Sequence, residues 1–236
     1  MAWSLIASIG AGLTLTGGTT SGINTTGADA IFIAVGEYTS SPTAPTDNKS
    51  NSWTLIKNES DANSASVAIY ACYNPTVGAG HTFSTTAQYP SISVLAFSGA
   101  ASATADQQNA TSAAGSSLTI QPGSITPSQN NELVLCAFID DNGAGITASI
   151  DSGFSTQTGW FESGVYGQSY PVGLSYLIQT TAGAINPTIT WGSAPNGAAA
   201  IIASFKAASS GGGFTALFRK SLSGTGSGVG RRQLQG

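Results

Sequence analysis

The chain is written in short apolar runs. Stretches of four to nine β-branched, aromatic and small apolar residues recur about every ten residues, with clusters of Gly, Pro, Asn, Asp and Ser between them. Such runs are too short for buried helices, and nowhere do apolar residues keep helical spacing over three turns, so strands are the period the sequence supports. The first series is Leu13 to Thr16, Ala30 to Tyr38, Trp53 to Lys57, Val67 to Tyr73, His81 to Thr86 and Ile92 to Ser98. The second is Leu118 to Gln121, Glu132 to Ile139, Ile146 to Ile150, Val172 to Gln179, Pro187 to Trp191 and Ala199 to Lys206. This pattern predicts an all-β fold, a jelly-roll-like antiparallel β-sandwich with little helix. Runs apolar on both faces, such as Ile31 to Val35 and Leu133 to Ala137, are expected at the centre of a sheet.

Composition says what covers that sandwich. Only 8% of the 236 residues are charged, against roughly 25% in an ordinary soluble domain. Ser, Thr, Ala and Gly make up about half of the chain, so its surface carries hydroxyls in place of charges. A formal net charge of −4 is too small to keep such a chain unfolded. It has no apolar run of 18 residues, and no membrane-spanning segment is expected. The first ten residues lack the basic and continuous apolar regions of an export signal, which points to synthesis in a cytosol with Cys72 and Cys136 as reduced, buried thiols.

The two series read as copies of one unit. Ile31 lies over Leu133 at an offset of 102, Trp53 over Phe154 at 101, Val67 over Val172 at 105, and Phe97 over Phe205 at 108. Order is kept and the offset drifts by small steps, as loop insertions would make it. The expected organisation is a duplicated sandwich over residues 1–210, with repeat A at about 12–99, repeat B at about 117–208, and a tail at 211–236. Residues 99–117, rich in Ala, Ser, Thr and Gln, read as the connector. A shared core is favoured over two closed ones, because each half alone has few large side chains.

Three segments carry a family resemblance. They are Asp47-Asn-Lys-Ser-Asn-Ser-Trp53-Thr-Leu, the run from Val67 through Gly80-His-Thr-Phe, and Ile92-Ser-Val-Leu-Ala-Phe-Ser-Gly99. In this order they resemble a β-sandwich module of tailed-bacteriophage virion proteins and bacterial surface proteins, over roughly residues 12 to 208. The second copy departs from the pattern with Gly153-Phe154 in place of the Trp and Ala203-Ser-Phe-Lys206 at its end. The resemblance implies a structural or adhesive role and supplies no catalytic residues. By analogy it also implies a homo-oligomer.

A search for chemistry in the residues themselves ends in the same place. His81 is the single histidine, so neither a zinc site nor a Ser-His-Asp triad has its full set of residues, and no Gly-x-Ser-x-Gly elbow exists. Asp140-Asp141-Asn142-Gly143 reads as a tight turn before it reads as a calcium or sugar site. No cofactor and no metal are expected, and the chain is read as non-enzymatic. Trp160, Phe161, Tyr166 and Tyr170, placed in a Gly/Ser-rich insertion of the second copy, are candidates for stacking on a surface glycan or touching a partner.

Charge singles out the tail. From Met1 to Ser210 eleven acids face three lysines, whereas from Gly211 onward Arg219, Lys220, Arg231 and Arg232 stand without an acid. Gly211 to Gly213 gives a swivel, after which Phe214, Leu217 and Phe218 set apolar groups beside Arg219 and Lys220, a pattern suited to a partner's groove. Four bases give little counterion release, so nucleic acid is not the expected partner. The expectation is a virion component, a capsid decoration or accessory tail or collar protein. It would be assembled in the host cytoplasm and anchored to other virion proteins through Phe214, Leu217, Phe218, Arg219, Lys220, Arg231 and Arg232. The alternative is a carbohydrate-binding or receptor-binding adhesive module.

Overall fold

The computed structural model describes residues 2–13, 15–39, 41–63, 65–101, 105–115, 117–141, 147–161 and 170–208. Among them there is no helix, and the antiparallel β-sandwich read from the sequence is what forms. The first eight strands are β1 (Ser4–Gly12), β2 (Gly18–Thr19), β3 (Ala30–Tyr38), β4 (Thr46–Asp47), β5 (Thr54–Ser60), β6 (Ala65–Tyr73), β7 (Phe83–Thr85) and β8 (Ser91–Ser98). The next eight are β9 (Gln107–Ala114), β10 (Thr119–Ile120), β11 (Glu132–Asp140), β12 (Ala148–Ile150), β13 (Ser155–Phe161), β14 (Val172–Gln179), β15 (Ile189–Trp191) and β16 (Gly197–Phe205).

Strand order repeats with a step of eight. One large sheet runs β1-β8-β3-β6-β5 and the other β9-β16-β11-β14-β13; the small sheets run β2-β7-β4 and β10-β15-β12. Four layers result. The two large sheets face each other across a central core that includes Phe32, Val67, Leu95 and Phe97 on one side and Leu135, Leu174, Ile201 and Phe205 on the other. Each small sheet covers the outer face of its own large sheet. Phe83 packs with Ile33 and Val94 in the first copy, and Trp191 with Phe138 in the second. The central strands must therefore be apolar on both faces, which is why β3 and β11 read as continuous runs. At Gly36 the large sheets come so close that a Cβ would meet Val172 Cβ at 2.9 Å and Ile139 Cδ1 at 3.0 Å.

Three sequence expectations need correction. Ala30 pairs with Phe97 and Leu133 with Phe205, so Leu133 matches Ala30 and not Ile31; the offset is 103. A slip of one residue exchanges the faces: Ile31 belongs to the outer core and Leu133 to the central one. Second, Leu13, Leu15 and Thr16 lie outside any strand; the first strand described is β1, which ends at Gly12, and its counterpart β9 lies within the stretch read as a connector. Third, Trp160 and Phe161 sit in β13, an edge strand in which Phe161 pairs with Val172, and not in a loop.

The first and last described residues emerge at one end. Trp3 packs on Phe97 with ring centroids 5.9 Å apart, and the Ala208 N–H donates to the Gly99 carbonyl at 2.8 Å. At the far end lie Tyr38, Ser91, Asp140 and Gly197, about 27 Å away by the rise of the nine-residue β16.

Candidate functional site

Polar side chains gather in three places. The first is the small sheet of the first copy, where the strand-turn-strand from β4 to β5 wraps the Asp47 carboxylate. Its Oδ1 accepts the Lys49 N–H at 2.7 Å and the Asn51 N–H at 3.3 Å, and its Oδ2 accepts Trp53 Nε1–H at 3.1 Å. That carboxylate folds the polar turn and fixes the Trp that follows it. His81 lies beside it, with Nε2 3.5 Å from Asp47 Oδ1 and Nδ1 2.9 Å from Thr25 Oγ1, and its ring stacks on Phe83 at 4.4 Å. Thr25 Oγ1 also accepts the Gly78 N–H at 3.2 Å and reaches the Gly78 carbonyl at 3.3 Å, so one hydroxyl ties the imidazole to the turn before it. Burial holds the imidazole below its usual range, against the pull of Asp47 in the opposite direction.

Thr25, His81 and Asp47 thus stand in the order of a hydroxyl, a base and an acid. Their side chains are nevertheless sealed, with Thr25 and His81 at 0% exposure and the Asp47 carboxylate likewise at 0%. A substrate would have to displace the small sheet to reach Thr25 Oγ1, so the arrangement holds a turn. The sequence reading of His81 as a turn-side polar residue missed this. The signal available was Asp47 at the head of the same polar segment.

At the terminal end, Lys206 at the close of β16 pairs with Asp106 at 2.7 Å, and Glu132 is buried next to them. Burial works upward on the Asp106 carboxyl, but Lys206 and the Ser128 N–H outweigh it and hold it at about 2. Burial, joined by the Asp106 charge, pushes Glu132 up. The pair clips the end of β16 to the start of β9, directly before the chain passes to residue 209.

The far end gathers three tyrosines and several carboxyls, Asp61 and Asp141 among them. Tyr38, Tyr89 and Tyr170 are in mutual ring contact, with Tyr38 and Tyr170 5.3 Å apart. Asp61, from the turn between β5 and β6, and Asp141, at the end of β11, lie in the same region. Burial raises both, and the Asp61 charge raises Asp141 further. The copies are tied together here, since Asn63 Nδ2–H donates to the Asn196 carbonyl at 3.2 Å and the Ser91 hydroxyl to the Tyr170 carbonyl at 2.6 Å.

Of the residues singled out in the sequence, Tyr170 is buried beneath other rings and is no exposed contact. Trp160 and Phe161 are placed by backbone alone, and Tyr166 lies outside the described residues, as do Phe214, Leu217, Phe218, Arg219, Lys220, Arg231 and Arg232. Cys72 and Cys136 are buried free thiols, and burial pushes both up. Among the described residues no group of three or more His, Cys, Asp or Glu is arranged to hold a metal ion, and no helix is long and apolar enough to cross a membrane. Compared with protein-family models, with curated proteins and with solved structures, the chain matches none.

Proposed function

We propose that this chain is a non-catalytic structural component of a tailed-phage particle, a capsid decoration or an accessory tail or collar protein, held by its basic C-terminal segment. One observation carries the reading: the described chain enters and leaves at the same end of the sandwich, beside Gly99, while the other end stands about 27 Å off. A rigid body rooted at one end displays the other. The hydroxyl-rich surface and the low charge suit a part packed against many neighbours, and the resemblance noted in the sequence points to the same class of protein.

Removal of residues 211–236 tests this. The truncated chain should keep its melting temperature, because among the described residues the central core closes with Phe205 and Ala207, and should be lost from purified particles. Incorporation at the full-length level would overturn the proposal. An adhesive role draws on a different part of the molecule, the tyrosines of the far end.

A further inference from the structure

The far end offers a built recognition surface. Tyr38 ends β3, Tyr89 precedes β8 and Tyr170 precedes β14, so strands from both copies bring the three rings together. Tyr170 is 3% exposed and forms the floor; Tyr38 lies on it and is 39% exposed. A ring supported by two others is a flat apolar surface that loses little freedom when something stacks on it.

Acceptors from both copies lie at the same end of the sandwich as that ring. Tyr38 pairs with Ala65 across β3 and β6, and Asp61 Oδ1 takes the Ala65 N–H at 2.9 Å; from the second copy, Asp141 is held by its own N–H on the Gly197 carbonyl at 2.9 Å and by the Asn196 Nδ2–H on its carbonyl at 3.0 Å. The Asp61 residue is 7% exposed; its Oδ1 takes the N–H groups of Asn63 and Ala65, and its Oδ2 has no hydrogen-bond partner. That Oδ2 lies over Gly197, where a Cβ would collide with it. Among the described residues neither carboxylate forms an ion pair. Asn63 and Asn196, both exposed, complete the rim.

A flat ring beside carboxylate acceptors without a counter-ion, with amides at the edge, is what a pyranose uses. Its C–H face lies on the ring, and its hydroxyls donate to carboxylate oxygens and exchange hydrogen bonds with amides. We propose that Tyr38, Tyr89, Asp141, Asn63 and Asn196 form a binding site for a neutral saccharide, with Tyr170 and Asp61 supporting it from below. The site needs no particle and does not rest on the virion reading.

The test is saturation-transfer NMR on the full chain with the methyl glycosides of glucose, galactose and mannose and with N-acetylglucosamine. At least one sugar should receive transfer on its ring C–H protons. Tyr38→Ala should weaken that binding about tenfold or more, as the loss of a stacking ring does. Tyr38→Phe keeps the ring and should keep the binding, whereas Asp141→Asn should weaken it at unchanged melting temperature. No transfer to any of the four sugars, or equal transfer in wild type and Tyr38→Ala, would overturn the proposal. A chain that enters particles but takes no sugar would lose this site and keep the virion role.

Discussion

Phe205→Ala should destabilise both copies at once, by about 3–5 kcal/mol, within a single unfolding transition. Phe205 belongs to β16 of the second copy, yet its nearest aromatic partner is Phe32 of the first, with centroids 4.6 Å apart, and both rings are fully buried. Truncation opens a void in the core that the large sheets share, so neither copy can shed the loss onto the other. Urea denaturation followed by tryptophan fluorescence and by far-ultraviolet circular dichroism should give coincident curves, shifted to lower urea with an unchanged slope. Two separated transitions, one for each copy, would show that the central core does not couple them.

Asp47→Ala should cost about 3 kcal/mol or more. The substitution leaves the N–H groups of Lys49 and Asn51 and Trp53 Nε1–H without their acceptor and removes the buried carboxylate that faces His81 at 3.5 Å. His81 also predicts a pH dependence. Because burial depresses its folded-state value below the roughly 6.5 of an unfolded histidine, the unfolded chain binds a proton more readily. Stability from His81 is therefore whole above about pH 6.5 and falls as the pH drops through that value, by up to about 1.4 kcal/mol per unit. Glu37, Asp61 and Asp141, raised by burial, act with the opposite sign and favour the fold as they take up protons. The histidine contribution is accordingly read as the difference between wild type and His81→Gln, measured by urea unfolding between pH 7.5 and 5.5. A flat difference would show that His81 titrates alike in both states.

The sequence spoke clearly where a strand is buried on one or both faces by large side chains. β3, β6, β8, β11, β14 and β16 all overlap the apolar runs, which in β6 and β16 are filled largely by Ala between a few Val, Ile and Phe. It was silent at β1 and β9, the first strand of each copy, because these lie at sheet edges. β9 is Gln-Gln-Asn-Ala-Thr-Ser-Ala-Ala, whose polar residues face solvent and leave no apolar period to read. The register slip at β11 has the reverse cause. With both faces apolar, Glu132 to Asp140 has no alternation to fix its phase, whereas the aromatic pair Phe97 and Phe205 aligned correctly at 108. The far-end cluster could not be read at all, since Tyr38, Asp61, Tyr89, Asp141 and Tyr170 are separated by up to 132 positions and meet only through the stacking of the large sheets.

Stacking large sheet on large sheet uses up the one face through which these units join. A third unit has nowhere to enter, because the outward side of each is already roofed by its own small sheet. Two units therefore complete the central core, and the free edges of its large sheets lie along the rims where β1 lies beside β13 and β5 beside β9. Along those rims the edge strands leave backbone groups open to a neighbour.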